Sequence, residues 1–335
     1  MFRYLLTFML ISFSAFAEVP KEWIEKSKSE PQLKIGGVWE DRVAKKILED
    51  FSKEYPHINI YYKKESSKFM SSKLLVSVGA NKPIYHMFLG TAELLPALRS
   101  RDALVSLSDL PEYKNTIEKS RGVGDFWTSN GLVYNCLAYN TNYISPKDLP
   151  KTLEDLYKVQ KLQNKNLALA HQEYFIISLV QKYGKEKTKI IADNLMKIDT
   201  FKSIAAYSQR AVLLNVGEYK AVFPFFYHYA NIHINRGAPI AIHCFDDIYA
   251  YTITTAVLKN NSALYSSKIF TNWTISKNGQ MSIFKHEGKM PIRKDMIKDP
   301  KYSYKNVSGK DPIIFTWDEY FENLLFAKKI WSGRF

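Results

Sequence analysis

LKIGGVWEDRVAKKILEDFSKEYPHINIYYKK, residues 33–64, holds a strand pattern, a helix pattern and a second strand pattern in succession. Leu33 to Val38 reads as a strand that ends in a flexible turn at Gly36-Gly37. Asp41 starts a helix with Val43, Ile47, Leu48 and Phe51 at helical spacing, and Pro56 stops it. Ile58 to Tyr62 then alternates as a second strand. Further on, Ser66 or Ser67 caps a helix carrying Leu74, Leu75 and Val78 on one face. Ile84 to Leu89 is a short buried strand, and a Thr91–Leu98 helix follows. Strand–helix–strand–helix–strand predicts a parallel sheet covered by helices, an α/β architecture.

On the amino-terminal side, residues 18–31 are charged and polar with Pro20 and Pro31, a leader into the first strand. On the other side the alternation restarts. Tyr134 to Tyr139 is a strand, and Leu149-Pro150 opens a helix around Leu153–Leu156. Asn166 to Ala170 is a strand that delivers His171-Gln172-Glu173 to the next helix. Tyr207 to Arg210 begins another helix, ending near Gly217-Glu218. Ala221–Phe226 and Ile240–Phe245 are strands, Ala256–Leu258 ends a last apolar segment, and the remainder reads as mainly helical. About three hundred residues exceed what one core supports, so two lobes are expected. The chain is expected to cross between them near residue 138 and to return near Phe245-Asp246-Asp247. Domain I is then 18–138 plus about 247–290, and domain II is 139–246. The helices of 291–335 pack across or onto domain II. Ligands of such sheets bind beyond the carboxyl ends of the strands, and two hinged lobes bring two such edges face to face.

Met1-Phe2-Arg3, the apolar run Tyr4–Phe13 and Ala15-Phe16-Ala17 read as a secretion signal cleaved after Ala17, because the run is too short to span a bilayer. No apolar run after residue 17 is long enough for a transmembrane helix. The expected product is therefore periplasmic. With 46% hydrophobic residues the chain is not of the disordered class. A net charge of +14 raises the local concentration of anions, whereas export and the absence of a recognised motif argue against nucleic acid. The two cysteines, Cys136 and Cys244, sit in strand-like segments and are either a disulfide or two buried thiols; they do not make a zinc site. There is no Gly-x-Ser-x-Gly, His-Glu-x-x-His or phosphate-loop motif, and Asp246-Asp247 reads as an acidic turn at the hinge rather than an acid–base pair, so no enzyme is expected.

Several segments, in order, resemble one family. Glu49–Pro56 leading to Ile58-Asn59-Ile60 and Ser66-Ser67 is similar to the opening of solute-binding proteins of ABC importers. Ala138-Tyr139-Asn140-Thr141, Pro150–Leu156 (with Leu153 in place of the usual Trp), Gly217-Glu218-Tyr219 and Gly237-Ala238-Pro239-Ile240 resemble further motifs. Lys268–Trp273 with Ser276–Gln280, followed by Met290–Asp295, is the nearest match. The chain resembles the ferric-type group, which also contains binders of phosphosugars. That resemblance implies the two-lobed type II periplasmic-binding-protein fold, with a mixed sheet flanked by helices in each lobe and crossover strands as the hinge. It also implies a membrane permease as partner, a monomer, and no cofactor beyond iron(III) as possible cargo. A ligand-sensing subunit of a signalling system on the same fold is the alternative.

Two ligand chemistries divide the candidate residues. Iron(III) prefers anionic oxygens. The family's paired-tyrosine position falls on Phe226 and Tyr227, and Glu93 matches a carboxylate that binds metal in some members. Only two of four ligands, Glu93 and Tyr227, survive. For a small anion, such as a phosphorylated compound, Ser66-Ser67, Ser208 with Arg210, and His171-Gln172 stand at three helix starts, where free N–H groups collect. Arg210 grips the anion bidentately in this reading, and Tyr227 and Trp39 stack on or cover it. The anion is preferred.

Overall fold

Leu33 and Ile35 are fully buried on one face of the first strand while Lys34 stays exposed, the alternation expected of a strand covered on one side. The computed structural model describes residues 18–90, 92–202 and 207–333, and of Ser67, Lys68, Lys202 and Ser208 the backbone alone. The segment 1–17, with its expected cleavage point, lies outside the described residues, as does Thr91 at the expected helix start.

In chain order the elements are α1 (Lys21–Ser27), β1 (Leu33–Gly37), α2 (Asp41–Glu54), β2 (Ile60–Lys64), α3 (Ser67–Gly79), β3 (Met87–Gly90), α4 (Leu95–Ser100) and β4 (Thr128–Asn140). Then come β5 (Leu167–Leu169), α5 (Glu173–Met196), β6 (Phe201–Lys202), α6 (Tyr207–Asn215), β7 (Ala221–Phe226), α7 (Tyr227–Ile234), β8 (Ile240–His243) and β9 (Ile248–Val257). The chain ends with α8 (Leu264–Ile275), α9 (Lys277–His286), β10 (Pro312–Ile314) and α10 (Trp317–Ser332). The amphipathic α2 buries Ala44, Ile47 and Phe51 and ends at Tyr55, before Pro56.

Among the described residues the strands join in one path, β2-β1-β3-β9-β4-β7-β5-β6, with β10 beside β9 and β8 beside β4. The path is two copies of one plan. In the first, β2, β1 and β3 run parallel and β9 closes antiparallel on β3. In the second, β6, β5 and β7 run parallel and β4 closes antiparallel on β7. The long strands β4 and β9 pair with each other and so run through both copies.

Three apolar cores cover this sheet among the described residues, a small one on β7 around Val222 and Phe225 and two larger, aromatic-rich ones. One gathers α1, α2 and α8 against β1 and β9 through Trp23, Phe51, Phe270 and Trp273. The other runs the length of the molecule under α3, α5 and α10, with Leu74, Phe88, Phe175, Phe223 and Tyr320. The Lys268–Gln280 segment is a structural knot. Ser276 caps α9, and a Cβ on Gly279 would lie 1.8 Å from the carbonyl oxygen of Trp273. Gln280 donates to the carbonyls of Asn130 and Thr274 and accepts from the amide of Ile292. Arg293, buried, holds Glu112 at 2.5 Å and Asp295 at 2.8 Å.

The structure corrects several sequence expectations. The leader 18–31 contains α1, entered from Pro20. The helix around Leu153–Leu156 is a 3₁₀ helix, Leu153–Lys158. The strand expected at Tyr134–Tyr139 is thirteen residues long, and the apolar segment ending at Leu258 is a ten-residue strand. Both are buried throughout, and strands covered on both faces lose the alternation by which strands are read. The tail read as mainly helical holds β10, parallel to β9.

Candidate functional site

Register places the ends of the parallel strands. Gly90, the last residue of β3, lies level with Thr254 of β9. Phe226, the last residue of β7, lies level with Asn135 of β4, which is itself level with Tyr249 of β9. The two sets of carboxyl ends therefore point at each other across the stretch Tyr249–Thr254, roughly 17 Å of strand. Ligands collect at such ends in α/β sheets, so this gap is the candidate site, floored by β4 and β9.

On the second-copy side, β5 hands the chain to Gln172, which caps the approach to α5 and donates from Nε2 to the carbonyl of Pro224 at 3.0 Å. Phe226 is buried, and Tyr207 stacks on it at 3.7 Å between ring centroids. Arg210, only 7% exposed, lies over the Tyr207 ring, its guanidinium carbon 4.8 Å from the ring centroid. Gln172, Phe226 and Arg210 thus gather around the end of β7. His171 stacks flat on Trp331 of the region after β10, at 4.5 Å.

On the first-copy side, Glu93 accepts a hydrogen bond from the Tyr174 hydroxyl at 2.7 Å, a contact reaching across from α5. Ser66 caps α3, its hydroxyl oxygen accepting from the amide of Phe69 at 3.4 Å. The side chains of Ser67 and Ser208 lie outside the described residues. Trp39 is buried in the first core between Tyr62 and Phe270, which leaves its ring no open face to lay on a solute. Tyr227 turns away from Phe226: it stacks on Tyr304 at 4.0 Å and donates to Asn306 at 2.6 Å. Glu93 and Tyr227 are thus engaged with different neighbours, and nothing in these contacts joins them at one point.

Residues that the sequence reading did not select complete the site. Tyr251, in the floor, stacks on Tyr174 at 4.3 Å and packs near Phe226. Tyr229 lies against Tyr207 and His228. Burial pushes the hydroxyls of Tyr174, Tyr207, Tyr229 and Tyr251 above the usual phenol range, and for Tyr174 the Glu93 carboxylate adds to this. These phenols are neutral hydrogen-bonding groups near neutral pH. Among the described residues no three His, Cys, Asp or Glu side chains stand close enough to hold a metal.

Behind the aromatic wall lies a buried ion pair, Lys289 to Glu287 at 2.8 Å, with burial pushing Glu287 upward. The turn between them needs Gly288, at φ +84°, where a Cβ would meet the Tyr304 hydroxyl at 2.3 Å. His228 packs here, and burial followed by the Lys289 charge lowers it to about 3. The unfolded chain therefore binds a proton at this position below about pH 6.5 that the folded chain refuses until about pH 3. Stability from this group is complete above pH 6.5 and is lost as pH falls, by about 1.4 kcal/mol per pH unit. Glu287, raised, acts with the opposite sign in the carboxylate range. Urea unfolding of His228→Gln between pH 7 and 4.5 is expected to show a shallower acid limb than the parent. An unchanged slope would contradict the buried neutral imidazole.

Cys136 and Cys244 are joined in a disulfide across the β4–β8 pair, Cα to Cα 4.6 Å.

No family model matches the chain, and no curated protein matches it. Solved structures do. Iron-bound HitA from Pseudomonas aeruginosa matches with a TM-score of 0.72 at 19% identity, covering 90% of this chain and 99% of that one. The fold is that of the periplasmic binding proteins. A substrate-binding protein of an ABC transporter from Agrobacterium tumefaciens matches at 0.72 and 12% identity, covering 89% and 95%. AfuA from Actinobacillus pleuropneumoniae, solved with fructose-6-phosphate, matches at 0.65 and 16% identity, covering 90% and 97%. One of these neighbours is iron-bound and another holds fructose-6-phosphate, so the likeness carries the fold and leaves the ligand to the site residues. No described helix is long and apolar enough to cross a membrane.

Proposed function

We propose that this chain is the exported binding component of an ABC-type importer, capturing a small anionic organic solute between its lobes and passing it unchanged to a membrane permease. In this reading the signal ends at Ala17, the mature protein acts as a periplasmic monomer, and the lobes are 18–138 with about 247–290, and 139–246. The observation that carries the ligand class is Arg210, a cation almost wholly buried beside the Tyr207–Phe226 stack where the strand ends face each other. A buried guanidinium with an aromatic backing favours a bidentate carboxylate or phosphate.

Iron(III) is the second cargo, favoured by one observation: Glu93 stands among the phenols of Tyr174 and Tyr320. Against it, those phenols are held protonated and Tyr227 is engaged by Asn306. Native mass spectrometry with metal analysis, on protein purified without refolding, separates the two. The expected result is a retained organic anion and less than one iron per ten chains. Stoichiometric iron with a tyrosinate absorption band would overturn the preference.

A further inference from the structure

The cleft floor buries an amide whose donor and acceptor both lack a hydrogen-bond partner. Asn135 is 2% exposed, and neither Nδ2 nor Oδ1 has a partner. It sits where β4 changes neighbours, paired with Tyr249 of β9 on one side and Phe226 of β7 on the other. Directly opposed residues of antiparallel strands share a face, so the amide stands on the same side as the Phe226 and Tyr249 rings. Two residues back along β7, the carbonyl of Pro224 takes the Nε2 of Gln172 and so fixes which end of that amide is which. The remaining Oε1 of Gln172 is also buried and without a partner. The end of β7 is therefore flanked by a donor–acceptor amide and a further acceptor, all three atoms removed from water.

Buried amides are normally satisfied, and a leucine of similar size would fill the Asn135 position at lower cost. Neutral amides do not read charge. They read a group that donates and accepts together, which is a hydroxyl or an amide. We infer that Asn135 and Gln172 bind a hydroxyl- or amide-bearing end of the ligand, opposite the anionic end held by Arg210. The cleft then selects hydroxylated organic anions over bare anions of the same charge. This inference rests on the reading of the cleft as a solute trap.

Glycerol 3-phosphate and propyl phosphate share chain length and charge but differ in two hydroxyls, and calorimetric titration with both isolates the effect. The unmodified protein is expected to bind glycerol 3-phosphate at least about ten-fold more tightly, the equivalent of one lost hydrogen bond. Asn135→Leu is expected to bring the two within about two-fold, by weakening the hydroxylated ligand and leaving propyl phosphate as before. The ligand-free variant is expected to melt about 2–4 °C higher, because an unsatisfied amide has gone. Equal binding of the two phosphates by the parent, a preference that survives Asn135→Leu, or a variant that melts lower would each overturn the role of Asn135. Failure of the trap reading looks different: neither of these compounds nor inorganic phosphate would then bind the parent protein, and both proposals would fall.

Discussion

Arg210→Ala is expected to weaken capture of the anionic solute by about 100-fold with little change in melting temperature. The magnitude follows from the chemistry of the contact. A bidentate guanidinium–anion pair makes two charge-assisted hydrogen bonds, each contributing about 1.5–3 kcal/mol, and part of that is offset by desolvating both ions. A net loss near 3 kcal/mol is about two orders of magnitude in Kd. Arg210→Lys keeps the charge and loses the fork, so it should fall between the two. The guanidinium's position over Tyr207, itself stacked on Phe226, means that the anion, the ring pair and the strand end are read as one unit. Tyr207→Ala should therefore also weaken binding. Titration of the anion recovered by mass spectrometry checks the series, and an Arg210→Ala protein with parental affinity would remove the anion clamp from the account.

Opening the Cys136–Cys244 disulfide is expected to cost about 3–5 kcal/mol of unfolding free energy. The bonded cysteines are 108 residues apart, and the loop between them holds β5 to β8. Cross-linking so long a loop restricts the unfolded chain far more than the folded one, where β4 and β8 are already paired. Denaturant unfolding with and without reductant, and of the Cys136→Ala/Cys244→Ala double variant, measures the effect. The transition midpoint should fall in both cases with ligand affinity retained at native temperatures. A loss below about 1 kcal/mol would mean that the second copy is equally ordered in the unfolded reference, contrary to the loop argument.

The half-buried elements could be read from the amino-acid sequence. Residues 33–64 carry the alternation of β1, the stripe of α2 and the Pro56 stop, and the structure has all three. The start of α3 was legible for the same reason, because Ser66 caps it through local chemistry. The crossing strands were not fully legible. β4 and β9 are covered on both faces over their whole length, so neither end carries a polar–apolar signal.

The site divides in the same way. Gln172, Arg210 and Phe226 stand at strand-to-helix turns, which the sequence marks, and they gather at the end of β7. Trp39 and Tyr227 stand at equally marked turns, yet Phe270 and Tyr62 enclose the one while Tyr304 and Asn306 draw off the other. Those partners are more than two hundred residues away in the case of Phe270, and no local pattern encodes them. Asn135 did have a signal: an amide in the middle of the apolar strand GLVYNCLAYN, away from its ends, is costly to bury unless something binds it.

Hydrogen–deuterium exchange of the protein as purified, and again after its ligand is stripped by denaturant and the chain refolded, reads out whether the facing strand ends close on a solute. Facing strand ends that hold a solute predict slowed exchange at Gly37–Trp39, Ala92–Leu94, His171–Glu173, Tyr207–Arg210 and Phe226–Tyr229 in the loaded protein, with the outer surfaces of α2 and α9 unchanged. Protection confined to the open groove of Lys34, Lys63 and Lys73 on the far edge of the sheet, or no difference between the two states, would contradict it.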